Sequence, residues 1–206
     1  MSLIHHLQQV SDYRTKPHYP LWVVMLLVIM GIMSGCTGYR ALEGFVERHQ
    51  NALLKLLELP YGRLPSFTTL RRIMIRISFE SLTAAFNAWA AEAFEVATGE
   101  QLATDGKSIK VSVRDHDKSY QDFISVVSAF SVSQGVVVGL RSMHNHDTSE
   151  IATVQSLLEL LNVHGACFTF DALHTQKSGC NRAEVSSACV APSKLSSRSL
   201  IVEMTI

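Results

Sequence analysis

From Leu21 to Met33 the chain runs through thirteen consecutive positions without a charged or hydrogen-bonding aliphatic side chain (LWVVMLLVIMGIM), and no Lys, Arg, Asp or Glu occurs from Pro17 through Tyr39. A run apolar on every side predicts a helix buried on every side. Pro20 suits the first turn, and the glycines of Ser34–Gly38 mark the end. A membrane span needs roughly 20 mostly apolar residues. Reaching that length here takes in Ser34, Gly35, Thr37 and Gly38, so the run reads as a core helix and no membrane partner is expected.

Helical periodicity continues for some sixty residues. Leu42, Phe45, Val46, Leu53, Leu56 and Leu57 recur at helical spacing among Glu43, Glu47, Arg48 and Lys55, predicting a helix over 39–59. Pro60-Tyr-Gly62 and Leu64-Pro65 interrupt it. Ser66 suits the N-cap of a helix over 67–77 that carries Arg71, Arg72 and Arg76, with Arg63 just upstream. Leu82, Phe86, Trp89, Ala93 and Phe94 predict a further helix over 79–98, closed by Gly99. Residues 1–20 read as a polar lead-in.

The pattern then changes to short β-branched runs. Residues 102–105 and 109–113, with a turn at Gly106 between them, form the first predicted strand. Residues 123–132 and 135–143 form the next two, joined as a hairpin through Ser133-Gln-Gly135. Ser149 caps a predicted helix over 150–161, with Ile151, Val154, Leu157, Leu158 and Leu161 on one face. Cys167-Phe-Thr-Phe170 is a fourth strand with Asp171 at its end. From Ser178 no helical period is sustained, seven of the last 29 residues are Ser, and Leu200-Ile-Val202 is the sole apolar cluster.

Composition narrows this picture. With 47% hydrophobic and 17% charged residues, the chain has enough apolar side chain for a core. The formal net charge is zero, so bulk charge names no partner. Residues 1–99 hold nine Lys/Arg against seven Asp/Glu, whereas 100–177 hold six against nine. The four cysteines (Cys36, Cys167, Cys180, Cys189) form no CxxC and no zinc-like spacing. Buried, reduced thiols in a cytoplasmic protein are expected.

Three strands, a helix and a fourth strand, with acids on the first and fourth, is the opening of a ribonuclease-H-like fold. Phosphodiester cleavage in such folds needs two divalent metals roughly 3.5–4 Å apart, held by hard carboxylate oxygens. Asp105 and Asp171 are the candidates, because neighbouring strands would bring them together. On spacing alone, an Asp at a strand end is more often a turn residue or a cap.

Seven sequence stretches sharpen the reading. They are Asp12-Tyr-Arg14 with Tyr19-Pro-Leu21; Met33-Ser-Gly35; Leu64-Pro-Ser-Phe-Thr-Thr-Leu-Arg-Arg72; Thr104-Asp-Gly-Lys107; Val127-Ser-Ala-Phe130; Ser149-Glu-Ile151; and Phe170-Asp-Ala-Leu-His-Thr-Gln176. Together, and in this order, they resemble the H-repeat-associated, Rhs-linked transposases of bacterial insertion sequences. The resemblance covers about residues 10–177. It implies an all-helical N-terminal domain (1–99) with possible DNA binding, followed by an incomplete ribonuclease-H-like mixed β-sheet domain (100–177) of the DDE type, an α+β or α/β arrangement overall. It also implies Asp105 and Asp171 as the first two catalytic acids and metal ligands, Mg²⁺ or Mn²⁺ as cofactor, and insertion-sequence ends as the DNA partner.

The departure lies at the C-terminus. The family's third acid sits far downstream beside Tyr, Arg and Lys, whereas here no Tyr follows Tyr120, and Glu184 and Glu203 lack that setting. Residues 178–206 therefore read as a frameshifted, non-homologous tail, and the chain as a truncated copy without strand-transfer activity. The alternative function is a residual DNA-binding module, or an inhibitor that associates with itself or with intact transposase.

Arg63, Arg71, Arg72 and Arg76 are the candidate phosphate contacts, against the alternative of a solvated basic helix face. Lys107 is a candidate because it follows Asp105 so closely, against a surface turn lysine. Asp147 and Glu150 read as helix-start acids, and His144, His146, His174 and Gln176 as loop or helix-start residues. Trp22 and Trp89 read as core.

Overall fold

The computed structural model describes residues 2–59, 62–114, 122–144, 150–163, 165–171 and 199–203. The chain packs as two compact units, Met1–Trp89 and Ala90–Ile206.

The first unit is helical: α1 (Leu3–Gln8), α2 (Leu21–Met33), α3 (Tyr39–Arg48), α4 (Gln50–Leu56), α5 (Phe67–Met74) and most of α6 (Phe79–Ala93). The apolar run is α2, and it is the centre of the unit. Val23 and Leu27 pack with Phe45, Val46, Leu53 and Leu64. Leu21, Val24, Met25 and Val28 pack with Leu7, Val10, Leu42, Leu70 and Ile73. At 13 residues the helix is about 20 Å long, short of a bilayer core of about 30 Å. Among the described residues no helix is long and apolar enough to cross a membrane. Its end is a Schellman turn: Gly35 takes φ +84, Gly35 N–H donates to Ile32 O and Cys36 N–H to Gly31 O, both at 2.9 Å.

Three local expectations are revised. The lead-in contains α1, because Leu7 is buried in the helical core. The helix expected over 39–59 breaks at His49 (φ −105, ψ 9) into α3 and α4. The last expected helix stops at Ala93 rather than Thr98. Phe94 and Val96 instead pack on the sheet core, so the units divide inside α6, ten residues before the break expected at Gly99.

The second unit is a mixed sheet of β1 (Gln101–Arg114), β2 (Asp122–Ser131), β3 (Val136–His144), β4 (Cys167–Asp171) and β5 (Ser199–Glu203), with α7 (Glu150–Leu161) between β3 and β4. The strand order is β3-β2-β1-β4-β5. β1–β2 and β2–β3 are antiparallel and β1–β4 is parallel. The chain is therefore α+β, helices first and a mixed sheet second, as expected. Leu102, Val127, Ala129, Val138 and Phe168 form a core with Val154, Leu157 and Leu158 of α7. The hairpin turn is where the sequence places it, with Gly135 at φ +69.

Gly106 does not turn the chain. β1 runs through it with Gly106 opposite Val127, because an interior strand tolerates a glycine whose ladder bonds are made. Part of the tail is also structured: β5 pairs antiparallel with β4, Phe168 opposite Val202. Its β-branched Ile201 and Val202 suit an edge strand. Residues 178–198 lie outside the described residues.

Candidate functional site

The two acids singled out by the sequence stand on neighbouring parallel strands. Gln101 pairs with Cys167, Leu102 with Phe168 and Ala103 with Thr169. Carried two residues further, the same register sets Asp171 beside Asp105. Alternation assigns the faces. Leu102 and Phe168 point into the core beneath α7. Gln101 and Thr169 lie on the opposite face, where Gln101 Nε2 donates to Thr169 Oγ1 at 3.3 Å. Asp105 belongs to that second face and is exposed. On its other side it pairs with Ser128 of β2. The backbone of Asp171 closes β4, while its side chain lies outside the described residues.

Exposed on β1, Asp105 offers the hard oxygen donors that a divalent cation prefers. Among the described residues, no group of three His, Cys, Asp or Glu side chains gathers into a metal site. Lys107 is exposed on the same strand as Asp105. His146, Asp147, His174 and Gln176 lie outside the described residues, as do the side chains of His144 and Glu150.

The helical unit holds a second feature, a cleft of about 350 Å³ lined by Arg14, His18, Arg63, Ser66, Thr69 and Arg72, among others. Long-range contacts build it. Arg14 grips Asp12 through two charge-assisted bonds of 2.8 and 2.7 Å and donates to Tyr19 O at 3.0 Å. That guanidinium holds the Asp12 carboxyl below its ordinary value. Tyr13 O–H donates to Arg72 O at 3.4 Å, and Tyr19 O–H to Arg63 O at 3.4 Å. The Asp12-Tyr-Arg14 stretch is thus a clasp that fastens the N-terminal segment to α5. Glu43 of α3 holds the start of α5 by accepting the Phe67 N–H at 3.1 Å. Ser66, expected as the side-chain cap, instead hydrogen-bonds Thr68 Oγ1 at 3.0 Å.

Of the four arginines picked out by the sequence, Arg63 and Arg72 line this cleft. Arg76 lies over the Tyr13 ring at 4.8 Å, a cation–π contact. Arg71 is exposed and does not line the cleft. Arg14, His18, Ser66 and Thr69 were missed as site residues. Their signal was present in the Asp12–Arg14 and Leu64–Arg72 stretches, but a meeting across some fifty residues is invisible to local pattern.

Comparison with known proteins gives the setting for this arrangement of helices followed by a mixed sheet. Residues 4–90 match the family model described as DDE_Tnp_1-associated. The H repeat-associated putative transposase YhhI of Escherichia coli K12 is 30% identical over 85% of this chain and 46% of its own length. YbfD of the same strain, which carries the same description, is 28% identical over 85% of this chain and 68% of its own length. A protein of the dhlA 3′ region of Xanthobacter autotrophicus is 28% identical over 75% of this chain and 51% of its own. The chain is similar to the H repeat-associated putative transposases over most of its length. It spans about half the length of several of the curated relatives it matches. No solved structure matches it.

Proposed function

We propose that this chain carries the first part of a DDE-type DNA transposase, with Asp105 and Asp171 as metal ligands and catalytic acids of a ribonuclease-H-like core. The reading is supported by the parallel β1–β4 register, Ala103 opposite Thr169, which extended by two residues would bring Asp171 level with Asp105. Mg²⁺ or Mn²⁺, when bound, would activate the attacking oxygen and stabilise the leaving one at a scissile phosphodiester. The chain's own part is to hold two hard-oxygen donors at one level of a rigid parallel pair. Asp105 does so from an exposed face open to a large substrate. Lys107, two residues on along the exposed face, is assigned to a DNA phosphate.

The 206 residues supply two acids of the expected three, since Glu184 and Glu203 lack the setting of the third. These residues alone are therefore proposed to bind metal weakly and to cleave poorly. Mispositioning by about 1 Å already costs on the order of a hundredfold in rate. A Mg²⁺-dependent cleavage assay on DNA bearing insertion-sequence ends, beside a full-length relative, tests this. Cleavage is expected from the relative only, and robust cutting by this chain contradicts the proposal.

The arginine-lined cleft favours a second reading, that the helical unit binds DNA in its own right. A chain that retains such binding would inhibit by occupying element ends or by assembling with intact transposase. Acting on chromosomal DNA, it belongs in the cytoplasm.

A further inference from the structure

We infer that the cleft between the Arg14–Tyr19 segment and the start of α5 is a seat for a single phosphate group, filled in function by a backbone phosphodiester of DNA. The inference rests on the nucleic-acid reading above and deepens it, replacing a row of basic residues on a helix face with one concave site.

Charge accounting selects the two arginines that matter. Arg14 is neutralised by Asp12, and Arg76 covers the Tyr13 ring. Among the described residues, the guanidinium groups of Arg63 and Arg72 have no ion-pair partner, yet they line the same cleft. Two unneutralised guanidinium groups on the wall of one cleft favour an anion there. The Ser66 and Thr69 hydroxyls face the same space, 3.4 Å apart and hydrogen-bonded to each other, which leaves one O–H of the two for a further oxygen.

Two guanidinium forks and a hydroxyl donor match the three or four acceptor oxygens of a phosphate better than the two of a carboxylate. A volume of about 350 Å³ lies at the small end of ligand sites and suits one phosphate with its sugar. The clasp makes the seat rigid. Tyr19 O–H donates to the carbonyl of Arg63 and Tyr13 O–H to that of Arg72, so the backbone of both arginines is tied to the segment that forms the opposite wall. The seat does not depend on the helix end, whose first N–H is taken by Glu43.

The test uses the full chain and a labelled duplex without terminal phosphates, followed by fluorescence anisotropy at fixed ionic strength, with inorganic phosphate and glutamate as competitors. Arg63→Gln and Arg72→Gln are compared with Arg40→Gln, an exposed arginine outside the cleft. Each cleft variant is expected to weaken duplex binding about tenfold, as loss of a charge-assisted bond implies. Arg40→Gln should change it less than twofold, and phosphate should displace the duplex at lower concentration than glutamate. Circular dichroism checks that each variant is folded. Duplex binding equally insensitive to all three substitutions overturns the seat and leaves the DNA-binding reading standing. Phosphate binding that needs Arg63 and Arg72, with no duplex binding, keeps the seat but assigns it to a free phosphate and overturns the phosphodiester. Binding of neither, or glutamate competing as well as phosphate, overturns the inference.

Discussion

Glu43 accepts the backbone N–H of Phe67 at 3.1 Å, so a carboxylate on α3 caps α5 across 24 residues. A negative group at a helix start satisfies an orphan donor and complements the helix dipole. Glu43→Ala should destabilise the helical unit by about 1 kcal/mol, read as a lower urea midpoint. An unchanged midpoint would mean that another group or water replaces the cap.

Glu100 performs a similar task for the sheet. Its carboxylate accepts from Ser131 Oγ at 2.6 Å and from Ser133 Oγ at 2.7 and 2.8 Å. This ties the β2–β3 turn to the start of β1. The Ser131 bond first, then the Ser133 bond, holds the Glu100 carboxyl below its ordinary value of 4.5. A carboxyl depressed on folding contributes stability that is fully present above its unfolded value and is lost as pH falls through the folded one. The contribution should therefore fade below pH 4.5, and Glu100→Gln should remove that part of the acid-unfolding profile. A profile identical to that of the unsubstituted chain contradicts the assignment.

Gly31 sits where α2 meets α3. A Cβ there would collide with Leu42 Cδ2, and Leu42 is itself buried, so it has nowhere to move. Gly31→Ala should cost about 1–3 kcal/mol, although alanine is the better helix former. A gain in thermal midpoint would show that the helices separate more easily than this contact implies.

Arg63 and Arg72 also predict a salt dependence. If the two together neutralise one phosphate, the slope of log K against log[salt] should be shallower by about 0.9 once both are removed. Equal slopes for the wild-type and doubly substituted chains would remove both residues from the DNA contact.

Most of the fold was legible because it is written in local pattern. The all-round apolar α2, the glycines after it, the alternating β1–β3 and the amphipathic α7 follow from spacing. The misses are non-local. α1 carries His5, His6 and Gln8 and reads as polar, but burial of Leu7 in the helical core stabilises it. The residues after Ala93 leave the helix because Phe94 and Val96 gain more from the sheet core. The partners of Glu43, Glu100 and Arg14 were likewise beyond a local reading, as was the cleft. Asp171 closes β4 as the sequence suggests, whereas Asp105, expected at a strand end, lies inside β1 because the strand runs on through Gly106.

The alignment of the two aspartates is measured most directly by Mn²⁺ titration of the isotope-labelled chain, following paramagnetic broadening of backbone amides. The account predicts that amides around Asp105 in β1 and around Asp171 in β4 broaden together. Excess Mg²⁺ should reverse the broadening, and Asp105→Asn or Asp171→Asn should abolish it on both strands. Broadening on one strand alone, or persisting in both variants, would contradict a shared metal site.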